Sequence, residues 1–190
     1  MFAVHARYRG RSSRRADLVR RSAAALSTLQ GVGEVEVLGV EDICAPVSSA
    51  EAVCDLVMAL LSDGEWAISI GVFPGSESAE AAMSVATAAL RRHARAGTVR
   101  AAVEHAPASA HQDIEAVFAL LGQVLHKRTL EGREATSLVR RGLNQNEAAR
   151  ELGISKQAVS QRLHAAGWHA ETAGWQLAVN ILRRADSVSA

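Results

Sequence analysis

The sequence predicts an α+β protein in which a part that alternates strands and helices is followed by a part that is entirely helical. In residues 1–108, short apolar runs of period two alternate with runs of helical period. After residue 108 only the helical period remains. With 190 residues and an apolar share of 48%, the chain can bury one sizeable core or two smaller ones.

The first part is predicted to hold five strands and three helices in the order β-α-β-β-α-β-α-β. The strands are assigned to residues 2–8, 34–38, 43–47, 66–73 and 99–104, and the helices to residues 15–29, 50–61 and 78–96. A turn at residues 39–42 joins the second and third strands in a hairpin, and Pro74 with Gly75 ends the fourth strand. We therefore expect an α+β sandwich with one helical layer.

Apolar residues repeat with a helical period from residue 110 into Leu130, and no low-complexity linker interrupts them. This stretch predicts a rigid helix between two domains. The predicted division is residues 1–108 for the α+β domain, 109–132 for the connecting helix and 133–190 for an all-helical domain. A further amphipathic helix after Gly167 is expected either to cover the core around Trp168 or to mediate dimerisation.

The most informative stretch runs from Asn144 to Leu163 and predicts two short helices joined by a tight turn. Asn144 is a preferred N-cap residue, and Glu147 three positions later completes a capping-box pattern. Gly153 is expected to end the first helix, because the residue after a helix often has a positive φ, and Ser155 then caps the second. The helices are predicted over residues 145–152 and 156–165.

These two helices have distinct apolar and polar faces. The apolar residues that would pack the helices on each other are Ala148, Ala149, Leu152, Ile154, Val159 and Leu163. The outward residues of the second helix, none of them acidic, are Lys156, Gln157, Ser160, Gln161 and His164. Donor-rich side chains of this kind can reach base edges, whereas a merely solvated helix more often carries pairs of Glu and Lys.

The stretch resembles the helix-turn-helix of bacterial regulators, and the residues that carry the resemblance are Gln145, Ala149, Gly153, Ile154, Ser155, Val159 and Leu163. It implies sequence-specific binding of double-stranded DNA in transcription regulation. Because one such module rarely suffices for specific binding, we expect a homodimer. The residues expected to bind DNA are Gln145, Arg150, Ser155, Lys156, Gln157, Ser160, Gln161, Arg162 and His164, with Arg140 and Arg141 as further candidates for phosphate contacts. An ordinary αα-hairpin is the alternative, but it needs neither the Gly153 turn nor an uncharged polar face.

Four segments carry a second resemblance: GRSSRR at residues 10–15, GVED at 39–42, ISIGVF at 68–73 and GLNQNEAARELGISKQAVSQRLHAAGW at 142–168. With the strand order, the first part resembles the catalytic core of nucleotide cyclases. Its fusion to the helix-turn-helix resembles the SatD family of bacterial proteins. This resemblance implies a ferredoxin-like, nucleotide-cyclase-like sandwich followed by an all-α helix-turn-helix domain.

Active cyclases of this fold hold two Mg²⁺ ions with carboxylates from the end of the first strand and from the hairpin turn. Here the first strand ends in HARY at residues 5–8, and only the turn keeps acids, Glu41 and Asp42. We therefore expect a catalytically degenerate domain that is not an enzyme and needs no metal or cofactor. Its role remains open between sensing a nucleotide or other small anion and a structural role in dimerisation. The seven arginines of residues 7–21 can grip an anion or DNA phosphates, or form a solvated cluster.

A different enzyme class also begins with a strand and a Ser-containing loop and ends with a helix-turn-helix. In such a serine recombinase, Ser12 and Ser13 would be the nucleophile candidates. Those enzymes carry arginines downstream that activate the phosphate, and residues 63–73 contain no Arg. A serine recombinase is therefore the least favoured interpretation of the sequence.

Charge is unevenly distributed along the chain, whose net charge is +1. Residues 128–190 hold nine Arg and Lys against six acids, +3, which leaves −2 for the rest and suits a DNA reader attached to a module that does not bind DNA. Cys44 and Cys54 show no metal-ligand spacing, so free buried thiols are expected. The Arg-rich start lacks the apolar run of a signal peptide, and no run approaches the about 20 apolar residues of a membrane span, so we expect a cytoplasmic protein.

Overall fold

The computed structural model describes residues 1–187, which form an α+β fold of five strands and eight helices and confirm the predicted class. The strands are β1 (Phe2–Tyr8), β2 (Glu36–Leu38), β3 (Asp42–Val47), β4 (Trp66–Val72) and β5 (Val99–Val103). The helices are α1 (Arg15–Leu26), α2 (Ala50–Asp63), α3 (Ala79–Ala89), α4 (Ala108–His126), α5 (Leu130–Arg140), α6 (Gln145–Leu152), α7 (Lys156–Ala165) and α8 (Trp168–Asp186).

The strands form one mixed sheet in the order β2-β3-β1-β4-β5. The central strand β1 pairs antiparallel with β3 and with β4, so that His5 lies between Cys44 and Ser69. The edge strand β5 is parallel to β4. Every residue of β4 is buried, because both faces of the sheet are covered along this strand.

One face of the sheet carries the larger of the two main hydrophobic cores. Alternate residues of β1, Phe2, Val4, Ala6 and Tyr8, point into it. Helices α2 and α4 pack over the strands, and α1 adds a smaller contact near β2 and β3. The largest side chain buried in this core is that of Trp66.

The opposite face is covered by α3, so the expected single helical layer is wrong. Ala82 and Ala86 pack on Ala3, and the Ser69 hydroxyl donates a hydrogen bond of 2.7 Å to the Ala86 carbonyl oxygen. A methyl group on Gly71 would lie 2.4 Å from the Ala86 nitrogen, so the helix backbone approaches the strand very closely. The continuous apolar run of β4 already indicates burial on two faces.

The chain leaves helical geometry earlier than predicted at three places. Helix α1 ends at Leu26, and α3 ends at Ala89, after which Leu90 turns inward with an extended backbone. Helix α4 ends at His126 and does not continue into Leu130. The Thr129 hydroxyl instead accepts a hydrogen bond from the Gly132 N–H, so that a separate helix, α5, begins.

Helices α4 and α8 both contribute to the larger core. The helix expected to connect two domains, α4, buries Ile114 and Phe118 there. Helix α8 packs against α2 and α4 through Val179 and Leu182, and the Trp175 indole donates to the Asp55 carboxylate at 2.9 Å. Each of the two helices has 19 residues. Within residues 1–187, no helix combines the length and apolar character needed to cross a bilayer.

Both cysteines are buried as free thiols, as predicted. Cys44 lies on the α3 side of the sheet and Cys54 lies in the larger core. Burial raises the pKa of both thiols, that of Cys44 to about 11. Neither group is a reactive thiolate near neutral pH.

The close approach of α3 to β4 predicts that Gly71→Ala destabilises the fold. The added methyl group meets helix backbone, which cannot move aside alone, so we expect the free energy of unfolding to fall by about 1–3 kcal/mol. Gly122→Ala in α4 is the matched control, since its methyl group would lie 3.7 Å from a Leu61 methyl carbon and should stabilise the helix by up to about 1 kcal/mol. Urea unfolding of both variants measures the contrast, and equal effects would contradict the packing.

Candidate nucleic-acid interface

The residues at the two ends of helix α6 determine where the helix begins and where it ends. The Asn144 side chain accepts hydrogen bonds from the Asn146 and Glu147 N–H groups at 2.9 and 3.1 Å. The Glu147 carboxylate accepts the Asn144 N–H at 2.8 Å and completes a capping box. At the other end, Gly153 has a φ of 63°, which a side chain would disfavour.

The turn between α6 and α7 is three residues long, from Gly153 to Ser155. The Ile154 N–H donates to the Ala149 carbonyl oxygen at 3.0 Å, which closes the end of α6. The Ser155 hydroxyl then accepts the Ala158 N–H at 3.1 Å and begins α7. Each end of the turn is therefore held by a hydrogen bond, and the orientation of α7 on α6 is fixed locally.

Helix α7 packs with α5 and α6 in a second, smaller core. Val159 and Leu163 are buried against Ala148 and Ala149, and Ala135 of α5 completes the contact. The small alanines let the helix backbones approach closely. One side of α7 is thus fully used in packing.

The other side of α7 is open to solvent. Its five predicted outward residues, Lys156, Gln157, Ser160, Gln161 and His164, are all exposed. The helix has no acidic residue in its first turn and carries Arg162 and His164 in its last. The face therefore offers amide, hydroxyl and ammonium donors on a rigid support, without carboxylates that would repel a polyanion.

The remaining predicted residues surround this face in different environments. Arg150 is exposed, and Gln145 is half-buried at the start of α6. The Ser155 hydroxyl is engaged as the cap of α7. Arg162 is 31% exposed, with a guanidinium nitrogen 3.9 Å from a Glu134 carboxylate oxygen. Arg140, a candidate phosphate contact, belongs instead to an ion-pair cluster with Glu171.

This ion-pair cluster is a buried carboxylate between two arginines. Glu171 of α8, only 5% exposed, accepts hydrogen bonds from Arg128 and Arg140. Arg128, whose side chain is 4% exposed, also donates through Nε to the Ala166 carbonyl oxygen at 2.8 Å, at the end of α7. The Arg140 guanidinium lies 5.8 Å from the centre of the Trp168 ring. The cluster therefore ties α5 and the end of α7 to α8.

Neither Arg128 nor Glu171 is among the residues that the sequence predicts to be functionally or structurally important. An acid near the start of an amphipathic helix whose one other acid, Asp186, lies at the far end is the signal that points to such a pair. It does not reveal the partners, which lie 43 and 31 residues away along the chain.

The polar residues of the first strand and of the hairpin turn also come together. Arg7 Nε donates to Asp42 Oδ1 at 2.6 Å, and Arg9 donates to a Glu41 carboxylate oxygen at 3.4 Å. Both carboxylates are thus paired with cationic side chains, and β1 supplies no acid of its own. These residues do not fit the two divalent cations that the cyclase resemblance implies.

A buried histidine joins this group to α3. His5, 3% exposed, has Nδ1 2.9 Å from the Thr87 hydroxyl and Nε2 3.0 Å from Asp42 Oδ1. Burial lowers the pKa of His5, and Arg7 lowers it further, while the hydrogen bond and charge of Asp42 act in the opposite direction.

Comparison with known proteins gives little further information. No protein-family model matches the chain, and no curated protein matches it. A crystal structure of a regulator of polyketide synthase expression from Bifidobacterium adolescentis aligns with 97% of this chain and 86% of its own, at 16% identity and a TM-score of 0.25. A TM-score of this size does not indicate a shared fold.

The buried carboxylate predicts a large effect of Glu171→Gln on stability. The substitution leaves the buried Arg128 without a counter-charge, so the free energy of unfolding should fall by about 3–5 kcal/mol. Glu134→Gln makes the same chemical change at an exposed pair and should cost about 0–1 kcal/mol. Urea unfolding near neutral pH measures both, and a loss below about 1 kcal/mol for Glu171→Gln would contradict the buried pairing.

The buried histidine predicts a pH dependence. Because the pKa of His5 is lower in the folded protein than its ordinary value of about 6.5, the unfolded chain binds more protons between these two pKa values. Stability should therefore fall as the pH decreases from about 6.5 through the folded pKa. Titration of the imidazole signals by NMR, with His5→Gln to assign them, gives the pKa of His5 directly, and a value of 6.5 or above would contradict this prediction.

Proposed function

We propose that the protein is a transcriptional regulator that binds double-stranded DNA at specific sequences and reads it with α7. The observation that carries the proposal is the exposed, acid-free face of α7 on a helix pair whose geometry is fixed by Gly153, Ser155, Val159 and Leu163. An αα-hairpin used only for packing has no requirement for such a face. A recognition helix in the major groove requires such an exposed polar face.

The residues of α7 suit different parts of a DNA site. Gln157 and Gln161 lie one turn apart, and a glutamine amide can donate to and accept from the N7 and N6 edge of adenine. Lys156 at the start of the helix suits guanine or a phosphate. Ser160 and His164 supply further donors along the same line.

Phosphate contacts come from residues beside the recognition helix. Gln145 lies at the N-terminus of α6, where free backbone N–H groups favour an anion, and Arg150 is exposed on the same helix. Within residues 1–187, the Arg162 guanidinium has only a long contact with the Glu134 carboxylate, which it can exchange for a contact with a phosphate. Ser155 has its hydroxyl in the cap of α7 and can offer a backbone contact.

The protein acts as a homodimer in this proposal. A single helix pair of this kind covers one half-site, and two-fold symmetry places two recognition helices about 34 Å apart on an inverted repeat. The charge of +3 on residues 128–190 is modest for one chain, and a dimer doubles it.

We also propose that the chain is a SatD-like bacterial protein with a ferredoxin-like, nucleotide-cyclase-like domain, whose core α4 and α8 complete, and a helix-turn-helix unit of α5, α6 and α7. The antiparallel order β2-β3-β1-β4 supports this, since it is the order of a split βαβ sheet. The first domain is catalytically degenerate, because the acids of the hairpin turn are paired with arginines. A regulator of bacterial transcription acts in the cytoplasm.

The second candidate function, a sensor whose first domain controls DNA binding, is favoured by one observation. A polar cleft lined in part by Arg7, Arg9 and Asp42 offers a place for an anion to bind. A scaffold domain needs no cleft.

Selection from a random library of double-stranded DNA tests the proposed reading directly. We expect an inverted repeat to be enriched by the natural protein. The double variant Gln157→Ala, Gln161→Ala should lose the preference, because each lost pair of base contacts costs about tenfold or more in discrimination. A double variant of two exposed glutamines elsewhere, Gln123→Ala with Gln176→Ala, is the control and should select the same repeat as the natural protein.

A third variant separates phosphate contacts from base reading. Arg150→Gln should weaken all sites alike and reduce the slope of affinity against salt concentration by about one unit per chain. If no motif is enriched, or if the α7 double variant selects the natural repeat, α7 does not read sequence.

A further inference from the structure

An open cleft of about 580 Å³ lies at the carboxyl end of β1. The residues that line it are Arg7, Arg9, Glu41, Asp42, Arg92, His93 and Ala94. Helix α3 stops at Ala89, before it would cover this end of the sheet. The cleft is therefore formed by the end of β1, the β2–β3 hairpin turn and the segment that follows α3.

We propose that this cleft binds a phosphorylated small molecule that also carries hydroxyl groups, such as a sugar phosphate or a nucleotide. The proposal names the ligand class for the second candidate function, the sensor, and rests on that candidate, but it does not depend on DNA binding. Three arginines and two carboxylates in one cleft provide both kinds of group that such a ligand needs.

The arginines supply fixed donors for a phosphate. Arg9 donates through Nε to the Ala94 carbonyl oxygen at 3.1 Å and through Nη2 to the Arg92 carbonyl oxygen at 2.6 Å, so its guanidinium is held in place before any ligand binds. Arg7 is held by Asp42. Each keeps N–H groups that meet no acceptor within residues 1–187. The Arg92 guanidinium makes no hydrogen bond or ion pair in that part of the chain and is free to close on an anion.

The carboxylates of the cleft favour a ligand that carries hydroxyl groups over a bare anion. Asp42 accepts its contacts from His5 and Arg7 through Oδ1, and its second oxygen has no hydrogen-bond partner within the described residues. A carboxylate oxygen beside a phosphate site is an acceptor for a ligand hydroxyl. Glu41, held by Arg9 and Arg15, adds negative charge to the same wall.

The volume and the net charge of the cleft restrict which ligands can bind there. The cleft volume lies within the roughly 300–1,000 Å³ of small-molecule sites, whereas inorganic phosphate would fill only a small part of it. The three arginines and two acids that line the cleft leave a net charge of +1. Arg15, which pairs with Glu41 from outside the lining, raises the local charge to +2, the size of the charge on one phosphomonoester. A nucleic-acid strand is a poorer match, because it would place several negatively charged phosphates beside the two carboxylates.

Isothermal titration of the full-length protein, without DNA, tests the site. The probes are ribose 5-phosphate, AMP, inorganic phosphate and ribose. We expect ribose 5-phosphate or AMP to bind at least about tenfold more tightly than inorganic phosphate, and ribose not to bind measurably. If ribose 5-phosphate binds more tightly than AMP, the ligand is a sugar phosphate. If AMP binds more tightly, the ligand is a nucleotide.

Two charge-matched variants locate the site. Arg92→Gln should raise the dissociation constant of the tighter probe about tenfold or more, whereas Arg95→Gln, an exposed arginine that does not line the cleft, should leave it within about twofold. Both side chains are exposed, so neither substitution should prevent folding. Absence of binding by all four probes, or equal weakening by the two variants, would overturn the proposal. So would a loss of DNA affinity in Arg92→Gln without any binding of the small phosphates.

Discussion

The contact of Glu171 with Arg128 and Arg140 determines how the two parts of the molecule meet. Removing a carboxylate and a guanidinium from water is costly, and the cost is recovered only when geometry and hydrogen bonding are nearly ideal. A pair of this kind therefore tolerates few alternative arrangements of its helices. Because Arg128 also binds the last carbonyl group of the α7 region, at Ala166, the same contact fixes the end of α7 relative to α8. Since α8 is packed on α2 and α4, the exposed face of α7 has a defined direction with respect to the sheet.

The sheet imposes a second constraint, because its two faces are covered by different kinds of packing. The larger core is filled by bulky side chains such as Trp66 and Phe118. On the other face, α3 approaches through alanines and Gly71, and this close packing leaves room for only a few polar groups. His5 and Ser69 are satisfied there by hydrogen bonds to α3 or to strand neighbours. Where α3 ends, the same face opens and the arginines of β1 become accessible. Close packing at one end of this face and an open cleft at the other are thus consequences of the length of one helix.

The parts of the fold that could be predicted from sequence are those determined by local chemistry. The bounds of α6 and α7 agree with the prediction residue by residue, because Asn144, Gly153 and Ser155 act on their own neighbours. The end of α3 could not be predicted in this way. Its alanine-rich sequence favours helix beyond Ala89, and the chain departs because β5 must reach its place beside β4. The second helical layer and the partners of Glu171 likewise depend on contacts between distant segments. For the candidate site, the outward residues of α7 followed from helical periodicity, whereas the engagement of Arg140 with Glu171 did not.

The position of α8 in the larger core has a consequence for how the protein is made. Residues 178–185 complete a core whose other members begin at Phe2, so nearly the whole chain must be synthesised before that core can close. The smaller core also includes Trp168 at the start of α8, although α5, α6 and α7 contact one another over short sequence distances. The sheet, although its strands are made first, waits with apolar surface on α2 and α4 uncovered. Both cores are therefore completed by the same late-made helix.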